Sequence, residues 1–143
     1  MSPATREHYT ALFAEIAESL GAEREPTFTG MIGFSAGGPV SMRRVGEWYV
    51  TCELSMCAEQ VESAEGLKFE LLSLLDLGER DCHRLLTALG ALSMAECLGD
   101  LHTVDVSHVL SAAPFSAVQL QLLSRCKIAG RAYGVYGVAP VGA

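Results

Sequence analysis

Basic residues, paired cysteines and long apolar runs are what this sequence has least of. Lysine and arginine total 10 against 17 acidic residues, a net charge of −7. That sign disfavours nucleic acid and anionic membranes and suits a basic protein partner. The five cysteines (Cys52, Cys57, Cys82, Cys97, Cys126) contain no CxxC pair, which excludes the common zinc-ribbon and dithiol redox spacings. In a reducing compartment they read as free thiols acting as small hydrophobes, so neither a disulfide framework nor a metal or other cofactor is expected. No apolar stretch approaches the roughly 20 residues of a membrane span. The opening MSPATREHYT lacks the basic start and apolar run of a signal peptide, so a cytoplasmic location is expected. Aromatics are few, at 7%, yet half of the 143 residues are hydrophobic and only 19% are charged. Such a chain folds, and its length is that of one domain.

The patterning alternates between helix and strand. Ser2-Pro3 is a helix start, Tyr9, Leu12, Phe13, Ile16 and Leu20 recur at helical spacing, and Gly21 is a stop, predicting a helix over 3–20. Residues 22–46, rich in glycine and proline, allow one short strand near Phe28–Phe34. Trp48, Val50, Cys52 and Leu54 alternate with Tyr49, Thr51, Glu53 and Ser55, a half-buried strand. Lys68–Leu75 carries leucines on both faces and is expected at the sheet centre. Cys82, Leu85, Leu86, Leu89 and Leu92 form a second helical stripe, closed at Gly99, with Gly90 inside it marking close packing. Strands follow over Val118–Leu122 and over Arg131–Val138, the latter stopped by Pro140. The expected fold class is α+β, a largely antiparallel or mixed sheet with flanking helices in a single domain.

Several constellations invite chemistry. Ser35-Ala36-Gly37-Gly38-Pro39 has the glycines of a phosphate loop but neither its lysine nor a following helix, and reads as a turn. His102, Asp105 and His108, spaced by three, converge on a metal only if helical, and Val104, Val106 and Val109 argue for an extended segment. Cys82 and His83 are helix neighbours that do not face each other. Glu53 and Glu70 are candidate paired carboxylates, though a solvated strand glutamate is the simpler reading of each. Trp48 and Tyr49 are interface candidates or core. Tyr133 and Tyr136, beside Gly134 and Gly137, are the better candidates for exposed contacts at a sheet edge, unless those glycines merely relieve crowding against a helix.

With the strands placed, the chain resembles the suppressor-of-fused family. The resemblance is carried by Gly37-Gly38-Pro39, Val40-Ser41-Met42, Trp48-Tyr49-Val50-Thr51, Leu54-Ser55, Phe69-Glu70-Leu71, the turn Gly99-Asp100-Leu101-His102 and the closing strand Tyr133–Val138. Glu53 stands where the family has glycine. The resemblance implies a mixed sheet flanked by helices and a non-enzymatic, protein-binding role, in the bacterial relatives that of an immunity protein neutralising a toxin. The expected partner is therefore another protein; the net charge points to a basic one, a toxin or effector, and the residues themselves, rather than the resemblance, offer Tyr133, Tyr136, Glu53 and Asp105 as contacts. A small acidic secretion chaperone is the alternative, although its closing amphipathic helix is missing. An enzyme with an unrecognised site is the third.

Overall fold

The computed structural model describes residues 11, 12, 14, 24–29, 40–45, 47–110, 113–128 and 130–141. Seven strands form one mixed sheet: β1 (Arg24–Thr29), β2 (Ser41–Val45), β3 (Trp48–Cys52), β4 (Lys68–Ser73), β5 (Thr103–Asp105), β6 (Ala117–Ile128) and β7 (Arg131–Val141). Their order is β1-β2-β3-β4-β7-β6-β5, and helix α1 (Glu79–Ser93) follows β4. The fold is α+β, as expected. Every pairing is antiparallel except β4 with β7, which run parallel.

β4 is the central strand, with both faces covered. Phe69 and Leu71 join the cluster under α1, together with Leu85, Leu86 and Leu89 of the helix, while Leu72 joins Val50, Cys52, Val135 and the helical residue Leu12 on the other side. This two-sided burial is what a strand with leucines in both phases requires. Acidic Glu79 and Asp81 lie in the first turn of α1, where the helix dipole favours them. The helix is tied to the entry of β2 at Val40, whose N–H donates to Thr87 Oγ1 at 3.2 Å and whose carbonyl accepts from His83 Nε2.

Several boundaries differ from the sequence reading. Helix α1 ends at Ser93, not Gly99: the N–H groups of Met94 and Ala95 tighten onto Ala91 O and Leu92 O, the Ser93 hydroxyl donates back to Gly90 O at 2.6 Å, and the chain turns through Met94 to Glu96. The first strand is Arg24–Thr29, overlapping the expected one only at Phe28 and Thr29, and β2 was hidden in the glycine-rich stretch. β6 runs far beyond Leu122, through a bulge between Leu122 and Ser124 that breaks the alternation. β7 continues through Pro140, which is tolerated because the β4 ladder has already ended at Ser73 opposite Val138, so no strand among the described residues needs its missing N–H. The helix expected over 3–20 is seen as helical at residues 11, 12 and 14, and the rest of it, like the turn 35–39, lies outside the described residues.

Candidate functional site

The largest correction concerns the C-terminal strand. β7 lies between β4 and β6, so it is no edge. Tyr133 and Tyr136 are 5% and 1% exposed and are not available as surface contacts. Tyr136 stacks edge-on against Phe69, with centroids 5.0 Å apart, and its hydroxyl donates to Glu65 Oε1 while accepting from Ser63 Oγ at 2.8 Å. Burial, then the Glu65 carboxylate, push its phenol well above the usual range. A Cβ on Gly134 would lie 2.7 Å from Leu67 Cδ1, and one on Gly137 would lie 2.8 Å from Leu74 Cδ1. The glycines therefore relieve crowding, and the crowding comes from leucines of the sheet region rather than from a crossing helix.

Glu70 is the second correction. It is fully buried, not a solvated strand glutamate. β3 pairs with β4 only at Tyr49–Ser73 and Val50–Leu72, and the strands then part. Side chains take over the vacated main-chain groups of β4. Thr51 Oγ1 accepts from Leu71 N–H at 2.8 Å, and the Gln60 amide both accepts from Phe69 N–H and donates to Phe69 O. The Glu70 carboxylate receives Thr51 Oγ1, Ser55 N–H and Ser55 Oγ at 2.7, 2.8 and 2.5 Å, anchoring the 3₁₀ turn Leu54–Met56. A buried carboxylate committed to this many donors holds the seam together. The signal that could have revealed it is position, since a polar residue between Phe69 and Leu71 in a two-sided strand is buried on either face.

Glu53 lies just past β3, half-buried at φ 96, a left-handed conformation that costs a non-glycine residue about 1–2 kcal/mol. Asp105 ends β5 at the far side of the sheet, exposed, its Oδ1 accepting from Ser107 N–H at 2.9 Å and Ser107 Oγ at 2.7 Å. Those two bonds hold its carboxyl below the usual range. With β4, β7 and β6 between their strands, the structure does not bring Glu53 and Asp105 together. His102 and His108 are exposed, and among the described residues no group of three or more His, Cys, Asp or Glu could hold a metal ion. No helix among the described residues is long and apolar enough to cross a membrane. The clefts lined by Leu77 and Arg84, by Trp48 and Asp76, and by Met56 and Arg131 measure about 210, 250 and 280 Å³, below the roughly 300–1,000 Å³ of a small-molecule pocket.

Three of the thiols, Cys52, Cys57 and Cys82, are poor nucleophiles where they sit. Burial, then Glu70, push Cys52 far up; burial, then Glu53, push Cys57 up to about 11; and burial raises Cys82 against an opposing hydrogen bond from Ser73. Each folded value exceeds the ordinary 9.0, so an unfolded chain releases these protons first. Their contribution to stability is complete below pH 9 and falls as pH rises above it. In native protein, exposed Cys97 is expected to react rapidly with a thiol reagent and Cys52 and Cys82 only on unfolding, while the melting temperature declines above pH 9. Rapid native labelling of Cys52 would overturn this.

What sequence reasoning missed is the outer side of β6. β5 covers it only from Ala117 to Gln119, after which Leu120 pairs with the turn through Leu101 N–H and His102 O. Asp100 Oδ1 then accepts from Leu122 N–H at 2.8 Å. Beyond Leu122, no strand among the described residues adjoins this side. Comparison with family models, with curated proteins and with solved structures returned no match for the chain.

Proposed function

We propose that this chain is a non-enzymatic protein-binding domain that acts by holding a partner through strand addition. The observation that carries the reading is the stretch of β6 beyond Leu122, paired with β7 on one side and adjoined by no described strand on the other. Such an edge supplies main-chain hydrogen bonds to an extended segment of another protein. Glu70 and His83, two groups that could have served catalysis, have structural employment in the seam and at Val40. The finer form of the proposal is neutralisation of a partner toxin, as the resemblance to the suppressor-of-fused family implies. The left-handed backbone at Glu53, where that family has glycine, supports the resemblance.

Co-expression with the product of the adjacent gene tests this. The chain is expected to protect a sensitive cell and to be recovered in complex with that product. Absence of both protection and complex would defeat the neutralising function.

A further inference from the structure

Along β6, backbone groups alternate between facing β7 and facing outward. Leu120 faces outward, its N–H on His102 O and its C=O on Leu101 N–H, and Leu122 N–H points the same way, onto Asp100. The extra residue at the bulge after Leu122 shifts this phase. The closing pair Ile128–Arg131, next to Gly130 at φ 79, fixes it again: a tight turn needs its last pair bonded across the hairpin. Residues 128 and 126 therefore bond to β7, and Arg125 and Lys127 direct their N–H and C=O groups outward. Both residues are exposed. Being two apart, their side chains lie on one face of the strand.

We propose that the outer edge of β6 at Arg125 and Lys127 is the docking site for an extended acidic segment of a partner protein. The inference rests on the protein-binding reading and adds the chemistry of what is bound. Two cations on one face of the open stretch, in a chain of net charge −7, make this stretch a local exception to the overall sign. A segment with acidic residues at alternate positions sets its carboxylates against them while its main chain extends the sheet. A second copy of β6 would bring Arg125 and Lys127 against their own kind, which disfavours self-pairing. At the other end of the stretch the Asp100 carboxylate repels further acidic residues. Leu101, 64% exposed and held at φ 66, offers an apolar contact there instead. The segment's preferred composition is thus acidic opposite Arg125–Lys127 and apolar toward Leu101. The sequence-based expectation of a basic partner concerned the whole surface; the segment gripped at this edge carries the opposite sign.

The test uses the full chain and three dye-labelled probes: a Thr-Glu-Val-Glu-Val-Thr peptide, its lysine counterpart, and the acidic peptide N-methylated at alternate amides. The acidic peptide is expected to bind at least tenfold tighter than the other two and to shift the amide resonances of Arg125 and Lys127. The double variant R125E/K127E, altered only at exposed positions and checked for an unchanged fold by circular dichroism, is expected to reverse the preference in favour of the lysine peptide. Equal binding of both charge forms, undiminished binding of the N-methylated form, or shifts confined to residues away from β6 would each overturn the proposal. So would concentration-dependent dimerisation that masks the same amides, which would assign the edge to a second copy. A partner captured by co-expression that binds R125E/K127E as tightly as wild type would remove this site while leaving the protein-binding reading intact. Peptide binding at the edge without cellular protection would keep the site and remove the neutralising function.

Discussion

Replacing Phe69 with alanine is expected to cost about 3–5 kcal/mol of folding stability, a large share of the roughly 5–15 kcal/mol that holds a domain together. Phe69 has no exposed surface, sits on the central strand, and meets Tyr136 edge-to-face at an interplanar angle of 82°. Alanine would leave a cavity that neither α1 nor β7 can close, because the strand is fixed on both sides: β7 pairs along one edge, and on the other the Gln60 amide holds Phe69 N–H and C=O. Urea denaturation of the two proteins measures the difference. A loss under about 1 kcal/mol would mean that the site collapses freely, contrary to the packing described. Tyr136→Phe is a useful companion, since it keeps the ring contact and removes only the hydroxyl bonds to Ser63 and Glu65.

Glu70→Ala is expected to be nearly as damaging, by about 3–4 kcal/mol, for a different reason. Three donors lose their acceptor in a buried setting: Ser55 N–H, Ser55 Oγ and Thr51 Oγ1. An unsatisfied buried donor costs about 1–3 kcal/mol, and the two hydroxyls can turn elsewhere whereas the backbone N–H cannot. Thr51 Oγ1 also accepts from Leu71 N–H, so the disturbance spreads to the main chain of the central strand. Glu70→Gln keeps one oxygen acceptor and should lose about half as much. Chemical denaturation of both variants checks the order. Were Glu70→Ala as stable as wild type, the carboxylate would not be holding the seam, and a role in chemistry would have to be reopened.

The central position of β4 was legible because its leucines occupy both phases, and β3 was legible as a strand as far as Cys52, but not as the half-buried strand its alternation suggests: Thr51, on the polar phase, is fully buried and bonded to Glu70. The stripe Cys82–Leu89 gave α1, but its end was not legible: Gly99 is the conspicuous stop, while the helix closes earlier, at Met94 and Ala95, whose N–H groups tighten onto Ala91 O and Leu92 O with no glycine to mark the place. β6 was read short because the bulge at Leu122–Ser124 interrupts a period-two pattern that resumes out of phase. The misplacement of Tyr133 and Tyr136 had a deeper cause. Which strand ends up at an edge depends on the parallel pairing of β4 with β7, a long-range contact with no local mark in either strand. Glycine beside tyrosine looks the same where a backbone is bared and where a neighbouring leucine needs room. Glu70 shows the converse limit, since its polarity argued for solvent and its neighbours argued, correctly, for the interior.

The parallel pairing of β4 with β7 closes a loop of about 65 residues, from Lys68 to Tyr133. Closure entropy rises only with the logarithm of length, so even doubling such a loop costs about 0.6 kcal/mol. The connection between β5 and β6 lies inside this loop and exposes Ser107, His108, Pro114 and Ser116. Added residues at those exposed positions would leave the seam, the Asp100 turn and the hairpin untouched. This connection is therefore a place where the chain can lengthen at small thermodynamic cost, whereas the Ile128–Arg131 reversal, which sets the phase of the outer edge, has no such latitude.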